Sequence, residues 1–377
     1  MGRLLIKNGT LIDKSENILF SKKDILIDGE KIMCIADKIN AEVEETIDCT
    51  GLFVSAGFID IHTHVFPGAP GLGIAPDPIG VEQGVTTVID AGTAGPENFD
   101  RFVEEVVKTS KTRVLSEMNY SKKGLWVKPE GDDESKWDIE LAEHVYRQHS
   151  DIIVAIKARA SNTCVGSLGI KPIKVAKELA SRCGIPLYVH IGHALPLIED
   201  TLAVMQKGDM LTHCFHGKDN NLQENGIMKK ETINAKERGV KFDVGHGVAS
   251  FNFNLMKSAL AQNFYPDCIS TDLHLKSWKH PVNSLSETMD KLIALGLSLE
   301  DAICDVTSNP AEILNLKGLG KLKEGNIADI TIFHVDFGEA NYLDSDGNEL
   351  IGHSTIKPDI AIVGGKVMAK NISGVTR

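Results

Sequence analysis

The feature that most constrains this chain is an alternation running from residue 54 to residue 295. Short apolar runs rich in β-branched residues take turns with amphipathic stretches of roughly ten to fifteen residues, the pattern of βα units. Eight runs read as strands, at 54–62, 85–90, 113–119, 152–157, 186–190, 210–214, 240–244 and 268–272. Helical patterns fill 96–110, 137–149, 172–183, 196–206, 224–238, 252–262 and 284–295, with Pro96, Pro172 and Pro196 suited to first turns. Eight units over about 260 residues is the size of one (β/α)8 TIM barrel. A further helix is expected from Asn309, acting as N-cap, leading away from the barrel.

Both ends of the chain have another texture. Leu4-Leu5-Ile6 precedes Asn8-Gly9, Asp24 to Ile27 precedes Asp28-Gly29, and a third run covers Lys31 to Ala36, which reads as hairpins. The same pattern returns at Ala328 to Phe333 and at Ile360 to Val363 before Gly364-Gly365. The expected organisation is therefore α/β: a small β-sandwich built from residues 1–53 and 319–377, flanking a barrel of residues 54–318.

Composition excludes several classes of function. A net charge of -12 and the lack of any long Lys/Arg run disfavour nucleic acid as a partner. No apolar run reaches the ~20 residues of a membrane span, and the start of the chain lacks a signal-peptide pattern, so the expectation is a cytoplasmic protein without membrane attachment. Seven scattered cysteines with no C-x-x-C spacing argue against a disulfide framework and for a reducing compartment. Cys214 adjoins a candidate ligand, but adjacency in a strand turns it to the opposite face, into the packing layer. Barrels of this size often associate; a homo-oligomer is an open expectation, with no interface legible.

Polar residues capable of chemistry fall at the carboxyl ends of the expected strands, where barrel enzymes keep their sites. Strand one ends in His62-Thr63-His64, whose two imidazoles share a face because alternate strand residues do. Lys157 ends strand four, His190 strand five, His213 strand six and Asp272 strand eight. Four histidines, a lysine and an aspartate on one rim point to a metal centre. Lys157 is the odd member, because an ammonium has no lone pair and repels a cation. As a carbamate formed with carbon dioxide it would offer two oxygens, one to each of two ions. Two divalent ions against that carbamate, Asp272 and a hydroxide leave about one positive charge, which favours an anionic substrate. Nitrogen with carboxylate oxygen suits zinc best.

These residues, in this order and spacing, resemble the amidohydrolase superfamily. Val54 to Ile61 is similar to the family's approach to strand one, and Gly325-Asn326-Ile327-Ala328-Asp329 to its return to the sandwich. The stretches Gly84 to Thr93, Ile156 to Arg159 and Phe242 to Gly247 are similar to a bacterial branch often labelled dihydroorotase-like or adenine-deaminase-like, better described as metal-dependent deacetylases. The resemblance implies that His62, His64 and Asp272 hold the more buried ion, that His190 and His213 hold the more exposed one, and that carbamylated Lys157 bridges them.

The expected chemistry is attack of a metal-bridging hydroxide on a polarised carbonyl, with Asp272 moving the proton to the leaving atom. Dihydroorotases carry an arginine two residues after the H-x-H pair to hold the substrate carboxylate, and here that position is Phe66. Adenosine-type deaminases carry a glutamate three residues after the strand-five histidine, and here that position is His193. Sugar-phosphate deacetylases usually lack the strand-four lysine. Arg159 is a candidate to clamp a substrate carboxylate or steady an oxyanion, set against a structural ion pair. His246, between two glycines, and Asn119 with Tyr120 are further substrate-binding candidates; His193 and His216 read as supporting or surface groups. The reading is a binuclear hydrolase removing an acyl group, foremost acetyl, from a small N- or O-acylated carboxylate compound. The alternatives are a cyclic-amide hydrolase, a purine deaminase and a non-catalytic scaffold.

Overall fold

The structure is a computed structural model that describes residues 2–372. Seven parallel strands form a curled sheet in chain order: Phe58–Thr63, Val85–Asp90, Arg113–Asn119, Ile153–Ala160, Leu187–Ile191, Met210–Thr212 and Lys241–Phe242. The eighth position is held by two isolated parallel bridges, Asp243 with Cys268 and Leu273 with Thr63, which bring the last strand position back to the first. Buried Asp60 fastens that closure by accepting hydrogen bonds from the Thr271 hydroxyl at 2.6 Å and the Thr271 backbone at 3.2 Å. The (β/α)8 expectation stands, with its eighth strand reduced to bridges.

Helices pack outside the sheet where the amphipathic stretches predict them. Ile139–Gln148, Lys171–Cys183, Phe253–Ala261 and Leu285–Ala294 fall within two residues of their expected bounds. Asp138, Asn252 and Ser284 cap three of these by accepting an N–H of the first turn. Other segments differ from expectation. The 96–110 stretch breaks into a 3-10 turn, a short α-helix and a π-turn. Residues 224–238 begin with a two-stranded hairpin, leaving a helix only at Lys230–Glu237. Pro196 lies ahead of its helix, Ile198–Val204. Asn309 sits inside the helix Ser308–Ile313, whose N-cap is Thr307, and its amide donates instead to Asp305 at 2.7 Å.

The two ends of the chain meet in one eight-stranded sheet with its own core, in which Ile6, Leu11, Ile25 and Val54 pack against Ile330, Ile332 and Ile362. Phe53–Ala56, read above as the start of a barrel strand, pairs with Ile330–Leu343 in this sheet, and the chain passes to the barrel through Gly57. A Cβ at Gly57 would lie 2.1 Å from Thr86 Oγ1, so no larger residue fits that crossing. Asp28-Gly29 forms the expected turn, whereas Asn8-Gly9 is a bulge within the strand Arg3–Asp13. The long hairpin Ile330–Leu343/Glu349–Val363 reaches the barrel's carboxyl face, where Ser345 donates to the carbonyls of His246 and Gly247. No helix of the described residues is long and apolar enough to cross a membrane.

Candidate metal centre

His62, His64, Lys157, His190, His213 and Asp272 all lie at the carboxyl face of the barrel, and all but His190 are buried. The Asp272 carboxylate is the hub: Oδ1 lies 3.1 Å from His64 Nε2 and 3.5 Å from His62 Nε2, and Oδ2 lies 3.9 Å from His213 Nε2. Ligand atoms about 2.0–2.2 Å from one tetrahedral ion stand about 3.3–3.6 Å apart. His62, His213 and Asp272 each place a ligand atom within 4.8 Å of the other two. The His190 ring lies 4.4 Å from that of His213, and Lys157 Nζ lies 3.2 Å from His62 Nε2.

Protonation fits a cation as well as spacing does. Burial lowers the imidazoles well below their usual range, His213 to about 3 and His64 to about 4, so they are neutral at physiological pH. His213 Nδ1 faces the Gly245 carbonyl at 2.6 Å and must donate to it, which leaves Nε2 a lone pair. His64 Nδ1 meets the Thr93 hydroxyl at 2.8 Å, a rotor that suits either tautomer. Burial pushes the Asp272 carboxyl up, but the His64 hydrogen bond, joined at acid pH by the charge of the neighbouring imidazoles, holds it below the usual carboxylate range. Burial also pulls the Lys157 amine down, and Glu117, 3.6 Å away, is driven well above the usual carboxylate range by its own burial.

Backbone strain accompanies the ligands. His213 (φ 65°) and Asp272 (φ 52°) both occupy the left-handed region, which costs a non-glycine residue roughly 1–2 kcal/mol. Gly245 and Gly247 make room for them: a Cβ on Gly245 would sit 2.2 Å from Thr212 Oγ1, and one on Gly247 would sit 2.5 Å from Asp272 Oδ2.

The specificity candidates are placed less uniformly. Arg159 lies in a fork with buried Glu130, donating from Nε at 2.6 Å and from Nη2 at 2.5 Å. His246 is buried, with Nε2 3.1 Å from Lys291 Nζ and its ring 4.9 Å from that of Phe251. Asn119 donates to the Gly92 carbonyl and accepts from the Ser121 backbone. Tyr120 packs in the main core against Trp137. The Phe66 ring joins Phe102 and Trp126 at 5.2 and 5.1 Å, buried in packing. Cys214 is buried in the core as expected; His193 is exposed and His216 buried.

His274 is among the residues of the site that escaped the sequence reading, with Glu117 beside Lys157 and Glu130 beside Arg159. His274 is buried beside the hub, its ring 5.9 Å from that of His64 and its Nε2 4.0 Å from Asp272 Oδ2. Its Nδ1 accepts the backbone N–H groups of Lys276 and Ser277, so its proton sits on Nε2. His274 is therefore a hydrogen-bond donor toward the site, the opposite tautomer to His213. Its spacing from Asp272 repeats that of His64 from His62, and that repeat was the available signal.

Residues 81–368 match the model of the amidohydrolase family. The chain belongs to the amidohydrolase family. As an amidohydrolase it is a hydrolytic enzyme of amide-type bonds. Among curated relatives it is 39% identical to a protein named deacetylase from Enterococcus faecalis, across 97% of this chain and 98% of that one. It is 35% identical to a deacetylase of Agrobacterium fabrum, across 93% and 87% of the two chains. Among solved structures, one described as an adenine deaminase superposes with a TM-score of 0.94 at 39% identity, covering 98% of this amidohydrolase and 99% of the other chain. One described as a dihydroorotase gives 0.90 at 32% identity, covering 98% of both.

Proposed function

We propose that this amidohydrolase is a binuclear metal-dependent deacetylase acting on a small N- or O-acetylated carboxylate compound. The observation that carries the metal part is the convergence of three imidazole Nε2 atoms on the Asp272 carboxylate at 3.1, 3.5 and 3.9 Å. Zinc suits this nitrogen and oxygen set. His62, His64 and Asp272 would hold one ion and His190 and His213 the other, with Lys157 as a carbamate between them. Bound there, two divalent ions supply an activated water and polarise the acyl carbonyl.

The chain's own residues do the rest. Asp272, ionised and at hydrogen-bonding range of the site, takes the proton released by the attacking water and returns it to the leaving nitrogen or oxygen. His274, its proton fixed on Nε2, is a neutral donor beside that carboxylate. Arg159 is steadied by Glu130 through Nε and Nη2, which leaves Nη1 as its edge for a substrate carboxylate. The names of the two deacetylase relatives support the acetyl group as the part removed. Phe66, buried among aromatic rings with the Arg101 guanidinium 5.3 Å from its own ring, stands at the position where a dihydroorotase carries an arginine.

Incubating zinc-loaded protein with a panel of N-acetyl and O-acetyl amino and hydroxy acids, both enantiomers, beside cyclic imides tests the reading. Acetate release from the open-chain acids is expected. Ring opening of the imides with no acetate release would reassign the enzyme as a cyclic-amide hydrolase.

A further inference from the structure

Beneath the rim a second polar cluster lies fully buried. Asp243, just past the end of the seventh barrel strand, accepts three hydroxyl protons on a single oxygen: Tyr188 from strand five, Thr212 from strand six and Ser270 from the eighth position each donate to Oδ2 at 2.6 Å. Two of those hydroxyls touch the site. Thr212 Oγ1 lies 3.1 Å and the Tyr188 oxygen 3.2 Å from His62 Nδ1, while Asp243 Oδ2 itself stands back at 3.9 Å.

Each hydroxyl has one proton, and each proton is committed to Asp243. Toward His62 both oxygens can therefore only accept. His62 must donate from Nδ1, so its Nε2 is left a bare lone pair, and Lys157 Nζ is found 3.2 Å from that nitrogen. The commitment of the hydroxyls is the same whether or not Oδ1 of Asp243 carries a proton. Metal-binding histidines commonly have this tautomer set by a carboxylate or carbonyl bonded directly to the far nitrogen. Here His213 follows that pattern through the Gly245 carbonyl, whereas His62 is reached through two hydroxyls.

We infer that Asp243 is a positioning residue for the metal centre: through the hydroxyls of Tyr188 and Thr212 it fixes His62 as the Nδ1–H tautomer and so presents Nε2 for ligation. The inference rests on His62 being a metal ligand, as proposed above. It also accounts for four polar side chains from four barrel strand positions meeting in a layer with no access to solvent. Thr212 and Tyr188 need their oxygens, not merely their bulk. Thr212→Val and Tyr188→Phe keep shape and remove one acceptor each. Thr212→Ser keeps the hydroxyl.

Two measurements on the whole protein test this. In metal-free protein with 15N-labelled histidine, two-bond 1H–15N correlations report the tautomer of His62, assigned by its loss in His62→Gln. The wild type is expected to show the Nδ1–H form, and the Thr212→Val/Tyr188→Phe double variant a loss of that preference. Zinc competition against a chromophoric chelator then reads affinity. The double variant is expected to bind its tightest zinc about 10–100-fold more weakly, the scale seen when such supporting partners are removed. Thr212→Ser is expected to match wild type. An Nε2–H tautomer in the wild type, or unchanged zinc affinity in a folded double variant, would overturn the inference. If the double variant does not fold, the single variants decide, each with a smaller loss expected and none overturning it. A wild type that binds no zinc would instead sink the metal reading beneath it, and the tautomer measurement would still stand alone.

Discussion

Gly247→Ala is a one-carbon change whose consequences can be worked from the geometry. Gly247 has φ 52°, and a Cβ there would lie 2.5 Å from Asp272 Oδ2, well inside van der Waals contact. Alanine in the left-handed region costs roughly 1–2 kcal/mol. With an unfolding entropy of about 2.1 cal/mol/K per residue, each kcal/mol lowers the melting temperature of this 377-residue chain by about 1 °C. The larger effect falls on chemistry. To relieve the contact Asp272 must swing by about 1 Å, and a misplacement of that order costs about 100-fold in rate. The assay pairs a thermal melt with kcat and KM for deacetylation by zinc-loaded protein. The expected result is a small drop in melting temperature with kcat down about 100-fold. A melting shift of the expected size with kcat unchanged would refute the assignment of Asp272 as proton carrier.

Other perturbations follow from the same structure. Glu130→Gln takes the charged partner from half-buried Arg159, which costs up to about 3 kcal/mol, the low end for a buried pair, and is read as a lower melting temperature; Arg159→Met with Glu130→Leu should recover much of that stability yet still raise KM, and an unchanged KM would remove Arg159 from the substrate. His274→Gln should keep zinc content and lower kcat by about 100-fold, the scale for one preorganised donor, checked by metal analysis beside kinetics. Asp290 is buried with Oδ2 unpartnered, and burial raises its carboxyl from near 4 to about 7. The folded state thus holds a proton that the unfolded chain releases, so this group's contribution to stability is fully present below about pH 4 and is lost as pH rises through about 7, by on the order of 4 kcal/mol at most. Asp290→Asn should flatten that slope in denaturant titrations at pH 5 and pH 8, and an identical slope would show that Asp290 titrates normally.

Much of this was legible in the sequence because the rim is built from strand ends, and strand ends are marked by where apolar runs stop. His62, His64, Lys157, His190, His213 and Asp272 were found that way, one at a time, and their meeting followed from barrel closure. What local pattern could not show was pairing across distance. Arg159 meets Glu130 from another loop, and His246 meets Lys291 from a helix 45 positions on. Asp243 stands in a stretch quoted above for its family resemblance, but its role depends on hydroxyls supplied by three other strand positions. The eighth strand reads as a strand because Cys268-Ile269 and Thr271 are apolar or β-branched, yet its sheet pairing is reduced to bridges at Cys268 and Leu273 on either side of the left-handed residue Asp272. Asn8-Gly9 has the composition of a hairpin turn, and the pairing of Arg3–Asp13 with Ile18–Asp28 on both sides of it makes it a bulge instead.

The most direct test of the metal-dependent reading is a zinc titration of metal-free protein with activity and bound metal followed together. Deacetylation should be absent without metal, rise with added zinc and level off at two equivalents per chain, and Lys157→Ala should lose the second equivalent along with activity. Full turnover by protein shown to contain no metal would contradict it.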